Sequence, residues 1–225
     1  MNYEVIAEDS ELIENLIITA AKSQQLPNEI IVPIIVIDQS DIELSGVNNI
    51  AELLSFVNGI NISINGGPGQ LTSIFVQGSN SNQVLILVDG IAINDSATGI
   101  AAIQNIHPDM VERIEIVKSP RASLYGSNAV GGVINIFTKR DSDRTTLGFK
   151  YGSDKTQVIN ISTGSKTTHG KLGLHFNDYD TDGFPSKEAS NINSKHNNRS
   201  INGFYDGQWN KTIVKASILD SRGTT

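Results

Sequence analysis

The regular alternation of apolar and polar residues after about Arg140 constrains the fold more than any other feature of this sequence. Five strand-length segments follow one another there, separated by polar turns and loops: TTLGFKYG, TQVINISTG, HGKLGLHFND, RSINGFYDGQW and KTIVKASILD. In the third segment, Leu172 and Leu174 fall on one side of a strand, whereas His175 and Asn177 fall on the other. A period of two that repeats in this way predicts an antiparallel β-meander.

Such a meander fits two settings. The wall of a transmembrane β-barrel has strands of about 10 residues, with aromatic side chains such as Tyr205 and Trp209 near the strand ends. One half of a soluble sandwich alternates in the same way, so periodicity leaves both settings open. Five strands cannot close a barrel, and a bilayer does not tolerate an open edge. We therefore expect either a soluble meander or the N-terminal part of a longer protein.

The first half of the chain has a different pattern, which predicts mixed α and β structure. The segment VNNIAELLSFVNG carries Val47, Ile50, Leu54 and Val57 on one helical face, and Gly59 is placed to cap its C-terminus. Strands are predicted at IIVPIIVID, INISI, LTSIFV, the continuously apolar VLILV, and GGVINIFTK, and HPDMVERIEIVKSP predicts a helical turn followed by a strand. The predicted fold class is an α+β domain followed by an antiparallel β-meander.

Composition excludes several classes of function. The net charge of −7 leaves no basic patch for a nucleic acid, and the absence of cysteine excludes disulfides and thiolate metal sites. The longest apolar run, residues 30–37, is far shorter than the roughly 20 residues of a spanning helix, and the acidic start is unlike a signal peptide. The four histidines show no ligand spacing, and no catalytic motif stands out, so an enzyme is not predicted.

Residues 65–94 and 111–140 resemble the plug domain of TonB-dependent outer-membrane receptors. The second block carries the long pattern SLYGSNAVGGVINI, and the first, with GGPGQLTSIFVQG, is most similar to the cobalamin (vitamin B12) transporter branch. The resemblance implies an N-terminal periplasmic segment over residues 1–29, a plug over 30–140 and about the first five strands of a transmembrane β-barrel over 141–225. It implies active transport in the outer membrane, with membrane lipid around the strands. Glycine is expected where the plug backbone turns sharply or packs closely, at Gly66, Gly67, Gly69, Gly131 and Gly132.

The segment ENLIITA near the start of the chain is strand-prone, although its flanks are polar and offer little to pack against. By itself it predicts a simple edge strand. The resemblance implies instead a Ton box, which pairs with the energy-transducing protein TonB by adding a strand to the edge of TonB's sheet. The implied TonB-binding residues are Glu14, Asn15, Leu16, Ile17, Ile18, Thr19 and Ala20.

Two outward loops of the plug are implied to grip the ligand, which would be cobalamin or a similar chelate. By matching position they hold Gln70, Leu71, Thr72 and Ser73 after GGPG, and Ile91, Ala92, Ile93 and Asn94 after VDG. Small hydroxyl and amide groups suit an amide-rich ligand, since they offer hydrogen bonds beside aliphatic contacts. The alternative is that these are ordinary strand-end residues beside tight turns.

The stretch DYDTDG has the spacing of a calcium loop at Asp178, Asp180 and Asp182. No glutamate stands at the last ligand position of an EF-hand, and three carboxylates cannot supply the roughly 6–8 oxygen ligands of calcium. Cobalamin transporters carry calcium-binding aspartates in such loops, so Ca²⁺ is the one cofactor that the resemblance implies. A solvated acidic loop is the alternative.

The chain departs from the plug pattern at two arginines. Gln77 stands where the family has the arginine of Ile-Arg-Gly, and Lys118 and Ser119 replace Arg-Gly before Pro120. In the family such arginines pair the plug with carboxylates of the barrel wall, so these changes affect how the plug is locked. The alternatives to a cobalamin transporter are a siderophore or other metal-chelate receptor, a soluble plug-like binding domain and a truncated, non-transporting product.

Overall fold

The computed structural model describes residues 34–140, 143–185, 192–210 and 212–225. The predicted Ton box, residues 14–20, therefore lies outside the described residues. In chain order the strands are β1 (Ile34–Ile37), β2 (Ile60–Ile64), β3 (Thr72–Val76), β4 (Val84–Val88), β5 (Ile91–Ala92), β6 (Val111–Val117), β7 (Gly132–Thr138), β8 (Thr146–Tyr151), β9 (Gln157–Thr167), β10 (Gly170–Thr181), β11 (His196–Trp209) and β12 (Thr212–Thr224). The helices are α1 (Gln39–Ser45), α2 (Ile50–Ser55) and α3 (Ala122–Tyr125), with 3-10 turns at Ser81–Gln83, Ile103–Asn105, Pro108–Met110 and Ser127–Ala129.

A mixed five-stranded sheet forms the centre of the first domain, in the order β1-β6-β7-β4-β5. All its neighbours are antiparallel except β4 and β7, which run parallel. All five residues of β4 are buried, as its continuous apolar run predicted. Its two faces enter different clusters: Ile86 joins the main core, whereas Leu87 packs with Val133 on the other side. This burial on both faces confirms the prediction of a central strand.

Helix α2 begins where an asparagine caps it. The Asn49 side chain accepts a hydrogen bond from the Glu52 N–H at 2.7 Å, which satisfies one of the free N–H groups of the first turn. The helix buries Ile50 and Leu54 completely, as its spacing predicted. The predicted C-cap at Gly59 was wrong, because the helix ends at Ser55. Gly59 serves the next turn instead, entering β2 with a φ of 84°.

Helices α1–α3 are all short, at seven, six and four residues. Across the described ranges, no helix is long and apolar enough to cross a membrane.

The second domain is an antiparallel meander in which each strand pairs with its neighbours in sequence, β8 to β12. The five predicted strands are confirmed, and the last four are longer than the predicted segments, at 11 to 14 residues. Leu174 pairs with Thr163 on β9 and with Gly203 on β11, so these three residues lie on the same face of the sheet.

The two faces of this meander have an inverted distribution of polarity. The face against the first domain buries polar side chains with at most 4% exposure: His175, Asn177, Asn198, Ser200 and Asn202. The opposite face exposes large apolar side chains: Leu147, Phe149, Ile159, Ile161, Leu172, Leu174, Ile201 and Ile218. The meander half of a soluble sandwich would bury its apolar face. The polarity of this sheet is therefore opposite to that of the sandwich alternative.

Charged pairs join the first domain to the meander. The Arg140 guanidinium donates to Asp206 on β11 at 2.6 Å and lies 3.6 Å from Asp89, in the turn after β4. At another point of the interface, the Asp109 carboxylate accepts from Lys150 on β8 at 2.9 Å, and Asn160 on β9 also donates to it. The Arg140 pairs are largely buried, whereas Lys150 is exposed, so the Arg140 pairs contribute more to the position of the first domain on the sheet.

Candidate functional site

A cleft of about 360 Å³ opens between the first domain and one end of the meander. The first domain contributes the β2–β3 loop, the start of α2 and the segment from Gln104 to His107. The meander contributes the β8–β9 loop, the end of β10 with the residues after it, and the start of β11. Its lining side chains there include Thr156, Tyr179, Thr181, Phe184, His196 and Asn198.

The β2–β3 loop is held against the meander by close backbone packing. Gly69 has a φ of 75°, and a Cβ at this position would overlap the His196 imidazole. The loop closes through a hydrogen bond from the Gln70 N–H to the Gly67 carbonyl at 3.2 Å. Only glycine meets both requirements at residue 69, a left-handed backbone and no side chain toward the ring. The expected need for glycine here is thus confirmed.

Three aromatic side chains lie next to one another across the boundary between the two domains. Tyr179 of β10 lies between His107 of the first domain, with ring centroids 6.2 Å apart, and His196 of β11, at 5.8 Å. Both ring pairs are tilted, at 43° and 47°. His107 also caps the following 3-10 turn, since its Nδ1 accepts from the Asp109 N–H at 3.3 Å. The ring row therefore connects the cleft lining to the Asp109–Lys150 pair.

Burial lowers the pKa of His107 to about 4, against the opposing influence of the Asp109 carboxylate. The imidazole is therefore neutral at pH 7, consistent with Nδ1 acting as a hydrogen-bond acceptor. The pKa of Asp109 is also lowered: burial alone would raise it, but the hydrogen bond from Lys150 and the nearby His107 outweigh this. Both groups thus favour the folded arrangement at neutral pH.

This arrangement predicts a loss of stability in acid. A histidine with a depressed folded pKa stabilises the protein fully above its unfolded pKa of 6.5, and this contribution is lost as the pH falls toward 4. We expect the loss from His107 to be on the order of 3 kcal/mol. The Tm of the wild-type protein should fall between pH 7.5 and about 4, and this fall should be smaller in His107→Gln. His169→Gln, on the exposed meander turn, is the matched control; an equal reduction in that variant would contradict the assignment.

The structure places the two predicted ligand loops differently. Gln70 and Thr72 line the cleft, whereas Leu71 and Ser73 do not appear in its lining. The second set, residues 91–94, does not line this cleft either. The Asn94 side chain is engaged with backbone groups: its Oδ1 accepts from the Ile86 N–H at 2.8 Å and its Nδ2 donates to two carbonyls. The ligand role of residues 70–73 and 91–94 stays a prediction.

The cleft lies at the end of the meander remote from the point where the chain passes from one domain to the other. That passage follows β7, where Arg140 meets Asp206 near the β9–β10 and β11–β12 turns. The cleft instead faces the loops after β8 and β10, which include Asp154 and Phe184. The two ends of the interface are therefore distinct, with a charged anchor at one and an open cleft at the other.

The three aspartates of the calcium-loop pattern have other partners. Asp178 pairs with Arg199 at 3.2 Å, and Asp182 pairs with Lys155 at 2.7 Å and Lys195 at 3.0 Å. The described portion of the chain, which lacks residues 186–191, contains no group of three or more acidic or histidine side chains arranged to hold a metal. Calcium binding by Asp178, Asp180 and Asp182 stays a prediction.

Sequence reasoning missed the residues that fix the two domains together. Arg140 and Asp206 are 66 positions apart, and Lys150 and Asp109 are 41 apart. No local pattern links charges so distant in sequence. Arg113, in contrast, contacts Glu112 and Glu115 and lies over the Phe137 ring, all inside the first domain.

Loss of the Arg140 anchor is expected to weaken the domain interface. Asp206 and Asp89 are only 16% and 8% exposed, and Arg140→Gln removes the cation that they share. The substitution should lower the free energy of unfolding by about 2–4 kcal/mol. The matched control is Arg222→Gln, which removes an arginine whose pair with Asp220 is exposed and should cost under about 1 kcal/mol. Limited proteolysis between the domains and chemical denaturation measure the difference. Equal behaviour of the two variants would contradict the anchor.

Comparison with known proteins defines the class. Residues 27–133 match the family described as TonB-dependent Receptor Plug Domain. The siderophore receptor PirA from Pseudomonas aeruginosa matches with a TM-score of 0.63 and 27% identity over 89% of this chain and 34% of that one. PirA from Acinetobacter baumannii matches with 0.63 and 24% over 84% and 31%. The ferric yersiniabactin uptake receptor FyuA from Yersinia pestis, at 20% identity and 0.63 over 85% and 31%, shares the fold.

The first domain is thus a TonB-dependent receptor plug with a mixed sheet, followed by an antiparallel meander. The chain spans about a third of the length of the solved receptors that it matches. The expected plug is confirmed, whereas the cobalamin branch is not, since these matching structures are siderophore receptors.

Proposed function

We propose that this chain forms the plug and the first wall strands of an outer-membrane receptor that takes up a metal chelate with energy from TonB. The observation that carries this proposal is the inverted polarity of the meander: polar side chains are buried on the plug, and apolar side chains face outward. A barrel wall in lipid around a plug requires this arrangement. A soluble plug-like binding domain would expose the same apolar face to water at a cost.

The cleft is the ligand site of this proposal. It lies at the loop end of the meander, away from the Arg140 anchor, and combines plug and wall residues. A ligand held there touches both parts of the protein, so its binding can change how the plug sits on the wall. Gln70, near the end of the β2–β3 loop, and Thr72, the first residue of β3, contribute hydrogen-bonding groups from the plug.

The ligand belongs to the metal chelates, and a siderophore fits at least as well as cobalamin. Siderophore uptake is supported by the receptors whose structures match this chain, including one at 27% identity. Cobalamin uptake is supported by the resemblance of GGPGQLTSIFVQG to that branch. Both ligands are large and rich in hydrogen-bonding groups, and both would use the same cleft.

Coupling to TonB would use the segment of residues 14–20. Its strand-prone sequence suits the addition of a strand to a partner's sheet edge, where main-chain hydrogen bonds supply the affinity. Force on this segment would then reach the plug through β1, the edge strand at Ile34–Ile37. No covalent chemistry is needed, so the proposed protein is a transporter and not an enzyme.

The test is uptake by cells that express the full-length gene product. Radiolabelled iron is offered as ferric siderophore complexes, and labelled cobalamin is offered separately, to cells with and without a functional TonB. We expect uptake of one chelate class that disappears without TonB and without residues 14–20. Absence of uptake for every chelate, with the protein present in the outer membrane, would overturn the proposal.

A further inference from the structure

The charged side chains that line the cleft are all acidic in the described part of the protein. Its described lining contains two carboxylates, Glu52 and Asp154, and neither a lysine nor an arginine. Glu52 stands in the first turn of α2, and Asp154 stands in the β8–β9 loop on the opposite side of the cleft. Negative charge therefore approaches a ligand from both the plug and the wall.

Two lysines adjoin lining residues in sequence, Lys155 after Asp154 and Lys195 before His196, and both pair with another carboxylate. Lys155 and Lys195 both pair with Asp182, whose backbone N–H donates to the Asp154 carbonyl at 2.9 Å. The pKa of Lys155 is raised, chiefly by its hydrogen bond to Asp182, so the pair favours the charged state of the lysine. These two cations therefore pair with Asp182, and neither is part of the described lining.

The remaining polar groups of the cleft are neutral. His107 is uncharged at pH 7, because burial lowers its pKa to about 4. Gln70 and Gln104 contribute amide groups, and the Gln104 Oε1 is buried without a hydrogen-bond partner in the described part of the protein. Phe184 adds an aromatic surface that is 49% exposed. An acceptor that lacks a donor and an open aromatic face suit a ligand with N–H or O–H groups on an apolar body.

We infer that this cleft selects chelates without net negative charge and rejects polyanionic ones. The favoured class is an electroneutral or cationic complex, such as a ferric trihydroxamate, and the rejected class is a ferric tris-catecholate. Among the described lining residues a polyanion would lose water without gaining a cationic partner, and it would meet two carboxylates. This inference rests on the proposed function, since it names the ligand class of the same site.

Calorimetric titration of the purified full-length protein tests the inference. The probes are a ferric trihydroxamate, cyanocobalamin, which is also electroneutral, and a ferric tris-catecholate. We expect one of the electroneutral probes to bind at least about tenfold more tightly than the catecholate. The double variant Glu52→Gln/Asp154→Asn should bind the catecholate about three- to tenfold more tightly than wild type, so the preference for the electroneutral probe over the catecholate should fall.

The matched control is Glu43→Gln on α1, an exposed carboxylate outside the cleft that should change neither affinity. If the catecholate binds most tightly in wild type, or the double variant fails to improve its binding, the charge selection is overturned while the proposed uptake function stands. If no chelate binds and cells import none, the proposed function fails, and the inference fails with it.

Discussion

Gly69→Ala is expected to weaken chelate binding about ten- to a hundredfold while leaving the plug folded. The added Cβ would overlap the His196 imidazole, which is fixed on β11 with its Nδ1 3.1 Å from the Thr224 carbonyl. The loop must therefore move away from the wall, and the cleft loses the part of its lining that the β2–β3 loop supplies. The left-handed backbone of residue 69 adds about 1 kcal/mol of conformational cost.

Gly78→Ala separates these two effects. Gly78 has nearly the same backbone, with a φ of 80°, but nothing lies within 4 Å of a Cβ at this position. It should lose similar stability and keep full ligand affinity, as measured by thermal unfolding and calorimetric titration. In the double variant Gly69→Ala/His196→Ala the smaller side chain makes room, and the loop should return to the wall. Equal affinities for Gly69→Ala and Gly78→Ala would show that the close packing does not shape the site.

Leu174→Arg is expected to block assembly of the protein in the outer membrane. Leu174 lies on the apolar face of the central strand β10 and is 49% exposed. If that face meets hydrocarbon, an arginine near the bilayer midplane costs about 2–4 kcal/mol. If the same face meets water, replacing an exposed leucine changes stability by no more than about 0.5 kcal/mol. The two settings therefore predict clearly different outcomes.

Leu219→Arg provides the matched control on the opposite face. Leu219 is 38% exposed on β12 and pairs with Asn202, whose side chain faces the plug. Leu174 and Ile218 both pair with Gly203, so residues 174 and 219 lie at similar heights on the wall. The yield of heat-modifiable, folded protein in outer-membrane fractions should collapse for the first variant and stay near wild type for the second. Normal assembly of Leu174→Arg would contradict the prediction that this face contacts lipid.

Local patterns predicted much of the fold. The period of two assigned Leu174 and His175 to opposite faces of β10, and the continuous apolar run placed β4 between two layers. Proline started the turn at Pro108–Met110 before β6. Each of these features depends on neighbours in sequence, because backbone geometry and side-chain direction are set locally.

The interface could not be predicted from such patterns. Which face of the meander meets the plug depends on the burial of His175 against a domain that is folded from distant residues. The same holds for the Arg140–Asp206 anchor and for Tyr179 between two histidines. The Gly59 cap was wrong for a related reason: α2 stops at Ser55, and the residues up to Gly59 form the turn that delivers β2 to its partner β3.

The orientation of the meander is the central claim, and nitroxide accessibility measures it most directly. The chain contains no cysteine, so a single cysteine introduced at residue 174, 219 or 155 gives one labelled site in this part of the protein. In lipid vesicles, a label at 174 should collide often with dissolved oxygen and rarely with a water-soluble nickel chelate. The label at 219 should collide less with oxygen, and the label in the exposed loop at Lys155 should favour nickel. A label at 174 that is as accessible to nickel as the one at 155 would contradict the account, because the apolar face would then lie in water.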